Sequence, residues 1–246
     1  MEIDEKVNHW FCQTFENIQK EVHPSTENDL LIVGVLFTAR KYTRSILLLL
    51  SQKHVLPAKA LLRILCELYV KAFWCLNAQD NGKNVKKKIH ENFQRWDYSR
   101  LIQDKKLLTN LEKYAEGDFK DKVENVLNKA DDDVADYKGR PIKCIPSTAD
   151  IFRELSVKDN IWDIIYQKIY QNYSRAVHLD RNTFNRLVQC KNDRIMCFDD
   201  WDDDINELYA NCLCIACDTN ILIRKYYDWP TEDLHQECLN LTSKYN

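Results

Sequence analysis

The sequence predicts an all-α protein, a single multi-helix, bundle-like domain of about eight to ten helices. The first observation is that its 246 residues include only 4 Gly and 5 Pro. Strand-rich and α/β folds need many tight turns and phosphate-binding loops, which use the positive φ angles that glycine tolerates. The second observation is that apolar residues recur at three- and four-residue intervals over most of the chain, which is the period of a helix face.

The first three predicted helices cover residues 5–22, 27–52 and 57–77. The apolar residues of 5–22 fall on one face, which is typical of a helix that packs on a core. Helix 27–52 is strongly apolar, and we expect it to lie at the centre of the fold. Pro57 suits the first turn of the third helix, which is apolar on most sides.

Two charged helices, 84–115 and 118–136, come next, and a break at Gly117 separates them. A turn at Gly82 precedes them. Segment 137–146 holds one of the four glycines and two of the five prolines. This segment is therefore the best candidate for a loop.

Helical periodicity returns in the last part of the chain. A short helix ends at Leu155, and 158–179 is a strong helix with its apolar residues in register. A short helix or turn near 181–188 leads to the last long helix, 203–227, and a tail helix follows at 231–243.

One domain is predicted over residues 1–246, because the chain has no internal repeat, no low-complexity linker and no sustained heptad pattern. The core is expected at about 27–227. Helices 5–22 and 231–243 are expected to pack on it.

The charge balance argues against a general nucleic-acid-coating protein, since 35 basic residues face 38 acidic ones and the net charge is −3. A local basic groove is still compatible with this balance. The N-terminus has no signal-type apolar run, and the longest apolar stretch, 46–50, is too short to cross a membrane. Most of the 10 cysteines lie in apolar helical stretches. We therefore expect a cytoplasmic protein with no membrane contact and free, mostly buried thiols.

Four charged residues spaced by four share one face of helix 57–77: Lys59, Arg63, Glu67 and Lys71. One interpretation is a solvated ladder of ion pairs. The other is a partly buried Arg63–Glu67 pair, because the leucines and aromatic residues around it leave little room for a water-facing side. The sequence leaves both open.

A second polar stripe lies on helix 158–179, where Tyr166, Tyr170, Ser174 and His178 are also spaced by four. It is either a polar outer face or part of a site. His178 lies at the C-terminal end of this helix, where the helix dipole favours the imidazolium form.

An acidic cluster precedes the last long helix and consists of Asp199, Asp200, Asp202, Asp203 and Asp204. Such carboxylates can hold Mg²⁺ or Ca²⁺. The spacing lacks the pattern of a Ca²⁺ loop, and acidic residues favour a helix N-terminus, which is the preferred interpretation.

Cys212, Cys214 and Cys217 are close in sequence, but on a helix their sulfur atoms splay apart, so packing is favoured over a zinc site. The chain has no Walker-type phosphate loop and no GxGxxG, HExxH or GxSxG motif. We expect no metal and no cofactor. Any active site has to be assembled from side chains on helix faces.

Two segments together resemble a known family. Residues 60–68, ALLRILCEL, are followed about a hundred residues later by Tyr170, Ser174 and His178 at four-residue spacing. As a pair they resemble a bacterial family of unknown function whose members are all-helical, with an LlRxxxE helix and a later YxxxSxxxH helix. The resemblance covers about residues 30–180.

The layout is also similar, more loosely, to the HEPN superfamily of helical ribonucleases and toxins. Those proteins use an Arg and a His on one late helix, typically as R-x4–6-H. In this chain Arg175 lies closer to His178 than that pattern requires. Asn172 lies six positions before His178 and matches the spacing as a variant without the arginine. Arg63 of the third helix is the alternative source of the guanidinium.

This resemblance implies a metal-independent endoribonuclease, a toxin or antiphage-defence effector that binds RNA and forms a homodimer with a shared cleft. A base would help the ribose 2′-OH attack the adjacent phosphate while cationic groups stabilise the phosphorane. The implied roles are His178 as acid and base, Arg63 or Arg175 at the phosphate, Glu67 orienting the arginine, and Ser174, Tyr170 and Asn172 as further polar contacts.

The alternative is a non-catalytic helical module that binds a protein or a small ligand. The Arg63–Glu67 and Ser174–His178 groups would then form a buried polar network that fixes the register of the helices.

Overall fold

Helices make up most of the computed structural model, which describes residues 2–22, 27–77, 85–135, 137, 142–177, 188–191, 194–197 and 202–245. In chain order the elements are α1 (Glu2–Asn17, continued by a π-helical turn at Ile18–Val22), α2 (Glu27–Ser51), α3 (Val55–Leu76), α4 (Val85–Glu112), α5 (Gly117–Ala135), α6 (Thr148–Ser156), α7 (Ile161–Ile165), a π-helical segment (Tyr166–Gln171), α8 (Asn172–Val177), β1 (Val188–Lys191), β2 (Arg194–Cys197), α9 (Asp202–Tyr226) and α10 (Glu232–Thr242). The α7, π-helical and α8 segments follow one another without a break, and we call them together helix 161–177.

Counted in this way, the described residues hold nine helices, which confirms the predicted all-α class. Each of the nine helices predicted from the sequence is present, and its ends lie within about three residues of the prediction, close to the variation between assignment methods. No helix in the described ranges is long and apolar enough to cross a membrane.

The chain divides into two compact units. One consists of Met1–Leu76 and Thr148–Asn246, and the other is Asn77–Ser147. The prediction that residues 1–246 form a single domain stays a prediction.

The core of the first unit lies where α2, α3 and α9 pack on one another. Leu36 and Leu50 of α2, Leu62 and Leu65 of α3, and Leu213 of α9 are almost fully buried there. Because α3 also contacts α6 and helix 161–177, few of its positions are left for polar side chains. This crowding determines the surroundings of the charged residues on α3.

Arg224 of α9 forms hydrogen bonds with the first and the last helix and so links both to this core. Arg224, which is 3% exposed, donates from Nε to Thr14 Oγ1 at 3.2 Å and from Nη2 to Gln13 Oε1 at 2.8 Å. The same guanidinium reaches the carboxylate of Asp233 in α10 at 3.3 Å. A buried guanidinium is costly to desolvate, and these partners on two neighbouring helices offset that cost.

The second unit is built from α4 and α5, which pack on each other. Gly117, at the turn between them, has φ of +54°, in the left-handed region that glycine tolerates, as expected for a helix break. The predicted loop docks on α4, since Arg95 donates to the carbonyl oxygens of Lys143 and Cys144 at 3.2 Å. The backbone N–H of Ile145 donates to Ser99 Oγ at 2.7 Å.

A small antiparallel hairpin, β1 paired with β2, was not predicted from the sequence. Val188 pairs with Cys197 and Lys191 with Arg194. A short helix or turn was expected near 181–188, and residues 181–187 of that segment lie outside the described residues. The sequence did not predict these strands because four residues are too few to show a clear alternation of apolar and polar side chains.

We predict that Leu62→Ala lowers the free energy of unfolding by about 2–5 kcal/mol, because it removes a fully buried side chain and leaves a cavity between packed helices. Ile64→Ala is the matched control, since Ile64 lies on the same helix but is exposed, and its loss should cost less than about 1 kcal/mol. Denaturant unfolding followed by circular dichroism measures both. Equal costs would contradict the position of α3 in the core.

Candidate functional site

The charged residues of α3 lie where this helix packs against helix 161–177. The side chains of Arg63, Glu67 and Lys71 are only 23%, 28% and 19% exposed. Lys59, at the start of the same face, is buried. The structure therefore favours the interpretation of a partly buried pair over a solvated ladder.

Arg63 joins α3 to the π-helical segment. Its Nη2 donates to the hydroxyl oxygen of Tyr170 at 3.3 Å. Its Cζ lies 5.1 Å from the centre of the Tyr170 ring, within the range of a cation–π contact. Two of the residues predicted for the site, far apart in sequence, are thus in direct contact.

Glu67 is the anion at the centre of this group. It accepts a hydrogen bond from Lys71 Nζ at 2.6 Å and another from the Thr148 side chain, and its Oε2 lies 4.0 Å from Arg63 Nη2. Burial alone would raise the pKa of the Glu67 carboxyl, but the hydrogen bonds from Lys71 and Thr148 and the charges of Lys71 and Arg63 outweigh it. The pKa of Glu67 therefore lies below its ordinary value, and the residue is ionised at neutral pH.

The guanidinium of Arg63 has donor capacity to spare. Its Nε is buried and has no hydrogen-bond partner within the described residues. Glu67 Oε1 lies 2.6 Å from Lys71 Nζ, whereas Glu67 Oε2 lies 4.0 Å from Arg63 Nη2. The carboxylate therefore does not fully neutralise the charge of the arginine. With two cations and one anion, Arg63, Lys71 and Glu67 carry one net positive charge. Because Nε is itself out of reach of solvent, an anion has to meet the exposed part of this guanidinium, and a cation that is not fully neutralised is suited to hold one.

Aromatic rings form a wall beside Arg63. Tyr166 and Tyr170 are stacked, with ring centres 5.6 Å apart and planes at 18°. Phe152 of α6 lies behind them, with its ring centre 5.1 Å and 5.8 Å from theirs. Both tyrosines are partly exposed, so the outer part of this wall is open to a ligand.

The two tyrosines belong to the π-helical segment, not to a regular α-helix. Turns of this kind are rare and occur frequently at functional sites. Tyr166 and Tyr170 nevertheless lie side by side, as their four-residue spacing predicted.

The other predicted site residues have different positions. Ser174 Oγ donates to the carbonyl oxygen of Tyr170 at 2.6 Å, a bond within its own helix. Asn172 is exposed and lies on another side of the helix, two positions from Tyr170. Arg175 belongs to α8, but the structure does not describe its side chain, and His178 lies outside the described residues.

Thr148 and Phe152 belong to this site, and sequence reasoning missed both roles. Thr148 lies 81 positions after Glu67. No local pattern connects them, because the contact depends on how α6 packs against α3.

The structure describes only part of the acidic cluster. Asp202, Asp203 and Asp204 form the first turn of α9, as the helix N-terminus interpretation requires, whereas Asp199 and Asp200 lie outside the described residues. Within the described ranges no group of three or more His, Cys, Asp or Glu side chains is arranged to hold a metal.

The predicted packing role of the cysteines of α9 holds for Cys212 and Cys217, which are buried. Cys214 is exposed. Although the residue as a whole is exposed, its thiol lies beside Cys238 of α10, and the hydrogen bond with Cys238, followed by the partial burial of the thiol itself, raises the pKa of Cys214 above its ordinary range. Cys214 is thus exposed on one side and next to α10 on the other, a difference from Cys212 and Cys217 that the spacing does not indicate.

Both helices of the site fall within residues 29–195, which match the model of a family described as Family of unknown function (DUF5677). The chain belongs to the DUF5677 family. The expected membership of an all-helical family of unknown function is thus confirmed, and the similarity to HEPN proteins stays a prediction. No curated protein and no solved structure matches the chain.

We predict that Glu67→Gln lowers the stability of this DUF5677 protein at pH 7 by about 1–3 kcal/mol, because a charged acceptor of two hydrogen bonds is lost. A carboxyl whose pKa is lowered on folding contributes stability above its unfolded pKa of about 4.3, and this contribution is lost as the pH falls through the folded pKa. The difference between wild type and variant should therefore shrink below about pH 4.

Denaturant unfolding at a series of pH values measures this difference. The control is Glu16→Gln, which changes an exposed glutamate of α1 and should have a small effect at every pH. A constant difference between wild type and Glu67→Gln at all pH values would show that the Glu67 charge is not stabilised by its neighbours.

Proposed function

We propose that the site around Arg63 binds a phosphate of RNA and that the protein is a HEPN-like, metal-independent endoribonuclease that acts in the cytoplasm as a toxin or antiphage-defence effector. The observation that supports this most is the state of Arg63. It is partly buried, held by Tyr170 on one side and Glu67 on the other, and still has an unpaired donor at Nε.

A guanidinium held in this way suits a phosphate. Arginine presents several donors in one plane and matches the oxygen atoms of a phosphate. Because Tyr170 and Glu67 fix the orientation of Arg63 in advance, little reorganisation is needed when an anion binds. The net positive charge of Arg63, Lys71 and Glu67 adds attraction for a polyanion.

The stacked pair of Tyr166 and Tyr170 supports a single-stranded nucleic acid as the ligand. Aromatic side chains next to a cationic group are the usual platform for unpaired bases, and stacking tolerates any base. RNA is recognised mostly through such unstacked bases and its 2′-hydroxyl groups.

In the proposed reaction His178, which follows Val177 directly in the sequence, accepts the proton of the ribose 2′-OH. The 2′-oxygen attacks the adjacent phosphorus, the bond from phosphorus to the 5′-oxygen breaks, and the leaving 5′-oxygen takes up the proton that the His178 imidazolium gives back. The products are a 2′,3′-cyclic phosphate and a 5′-hydroxyl. Arg63, with Arg175 as the second candidate, stabilises the charge of the phosphorane, and Glu67 orients Arg63.

Ser174 and Asn172 are assigned no contact with the reacting phosphate. The Ser174 hydroxyl is bonded within its own helix, and Asn172 is exposed on another side. A homodimer with a shared cleft, in which a second copy supplies further contacts, remains part of this proposal.

We predict that the pure protein cleaves single-stranded RNA in the presence of EDTA and leaves 2′,3′-cyclic phosphate ends. His178→Ala should lower the rate by about 10²–10⁴-fold, as expected for the loss of a general acid and base. Arg63→Ala should also lower it, and Arg63→Lys should restore part of the activity, because it returns the charge without the planar donors. Gel analysis of a labelled oligonucleotide and its 2′-O-methyl form measures this.

Arg153→Ala is the control, since it removes an exposed arginine of α6 that pairs only with Asp150 among its described contacts. Its activity should equal that of the wild type. Cleavage of the 2′-O-methyl oligonucleotide, or equal activity in His178→Ala and wild type, would contradict the proposed mechanism.

The second candidate is a non-catalytic module that binds a protein or a small ligand. The observation that favours it is the pairing of Glu67 with Lys71 and Thr148. These hydrogen bonds satisfy the Glu67 carboxylate within the protein, so it needs no ligand. In that case Arg63 and Tyr170 would serve to fix the register of α3 against helix 161–177. Unfolding of Arg63→Ala and His178→Ala would favour this function, whereas folded but inactive variants would favour the ribonuclease.

A further inference from the structure

One face of α2 is exposed along the helix and carries large apolar side chains. Leu30, Phe37 and Leu48 on this face are 65%, 49% and 59% exposed. Single exposed apolar residues are common on protein surfaces, but a row of them along one helix marks an interaction surface.

The exposed positions follow the spacing of a helix–helix seam. They alternate by four and three residues, as in a coiled coil. We call them the α2 seam, which consists of Leu30, Gly34, Phe37, Lys41, Arg44 and Leu48. The opposite face of α2 is covered by the core of its own unit, so the seam is available to a second helix.

At Gly34, no contact within the described part of the chain explains why a glycine occupies a position inside a helix. Glycine inside a helix is destabilising relative to alanine. A Cβ atom at Gly34 would have no neighbouring atom of the described residues within 4 Å, so no contact among them requires the missing side chain. A small residue at this position allows close approach by something that packs on the seam.

We propose that the α2 seam pairs with the α2 seam of a second copy of this chain, in antiparallel orientation. In this orientation each seam residue faces the partner residue that lies equally far from position 39 on the other side of it in the sequence. Leu30 then faces the partner's Leu48, and Phe37 faces the partner's Lys41. Gly34 faces the partner's Arg44, so the smallest residue lies opposite a long one.

This pairing satisfies the requirement of a two-fold dimer, in which one surface meets its own copy. Apolar side chains at both ends meet apolar side chains. At the centre, the aromatic ring of Phe37 meets a cation, an arrangement that Lys41 already adopts within one chain, where its Nζ lies 4.6 Å from the centre of the Phe37 ring.

A groove beside Leu48 supplies space for the partner's Leu30. It has a volume of about 460 Å³, and its walls include Ile3, Leu47, Leu48 and Tyr209. In the antiparallel pairing the protruding Leu30 of each copy reaches the groove of the other. The dimer therefore contains this leucine contact twice.

The cations of the seam are compatible with a close approach of two copies. Arg44 is paired with Asp4 of α1, with contacts of 3.2 Å and 3.3 Å, and Lys41 is held over Phe37. The carboxylate of Asp4 offsets the charge of Arg44, whereas Lys41 keeps its full charge over the neutral Phe37 ring and would bring that charge to the partner's Phe37. The proposal does not depend on whether the Arg63 site cleaves RNA.

We predict that this 246-residue chain is a dimer in analytical ultracentrifugation and that Leu30→Lys or Leu48→Glu alone raises the dissociation constant by roughly tenfold or more, because a charge replaces a leucine in an apolar contact. The double variant Leu30→Lys, Leu48→Glu should restore the dimer, since each lysine then faces a glutamate of the partner. A parallel pairing would instead place like charges together.

The control is Leu239→Glu, which changes an exposed leucine of α10 and should leave the dimer intact. Because all three leucines are exposed, the variants should keep the circular dichroism spectrum and unfolding midpoint of the wild type. A monomeric wild type, a dimer unaffected by either single change, a double variant that stays monomeric, or a control that dissociates would each overturn the proposal.

Discussion

Helix α3 is covered by α2, α9, α6 and helix 161–177, and the rest of the structure depends on this crowding. Charged side chains on such a helix cannot extend freely into water, and each one left unpaired would be costly. Glu67 therefore takes its hydrogen bonds from Lys71 and Thr148, and Arg63 turns towards Tyr170. The same packing that forms the core thus determines the geometry of the candidate site.

This constraint also explains why Arg63 is a better candidate for function than Arg224, the most deeply buried arginine among the described residues. Arg224 is more deeply buried, but its donors are used by Gln13, Thr14 and Asp233, which makes it a structural link between helices. Arg63 is less buried and has a donor without a partner among the described residues. A protein that needed only stability at Arg63 would gain from an apolar residue there, since buried ion pairs seldom add net stability.

Much of the fold could be predicted from the sequence, because long amphipathic helices produce a strong period and few other features. The partial burial of Arg63 and Glu67 was one of two interpretations that the sequence left open, suggested by the leucines and aromatic residues around them. The roles of Thr148 and Phe152, the exposure of Cys214 and the β1–β2 hairpin were not predicted. Each depends on which helices and strands pack against one another. The periodicity of apolar residues in a single sequence predicts long helices, but it does not predict which of them become neighbours.

The central claim is that Arg63 and the stacked tyrosines form a binding site for single-stranded RNA. It is tested most directly by the affinity of a 2′-O-methyl oligonucleotide, which cannot be cleaved, for wild type, Arg63→Ala and the exposed control Arg153→Ala at several salt concentrations. Arg63→Ala should weaken binding by roughly tenfold or more and lower the slope of log affinity against log salt by about 0.7–1, while the control should change neither. Equal affinities and equal slopes for wild type and Arg63→Ala would contradict it.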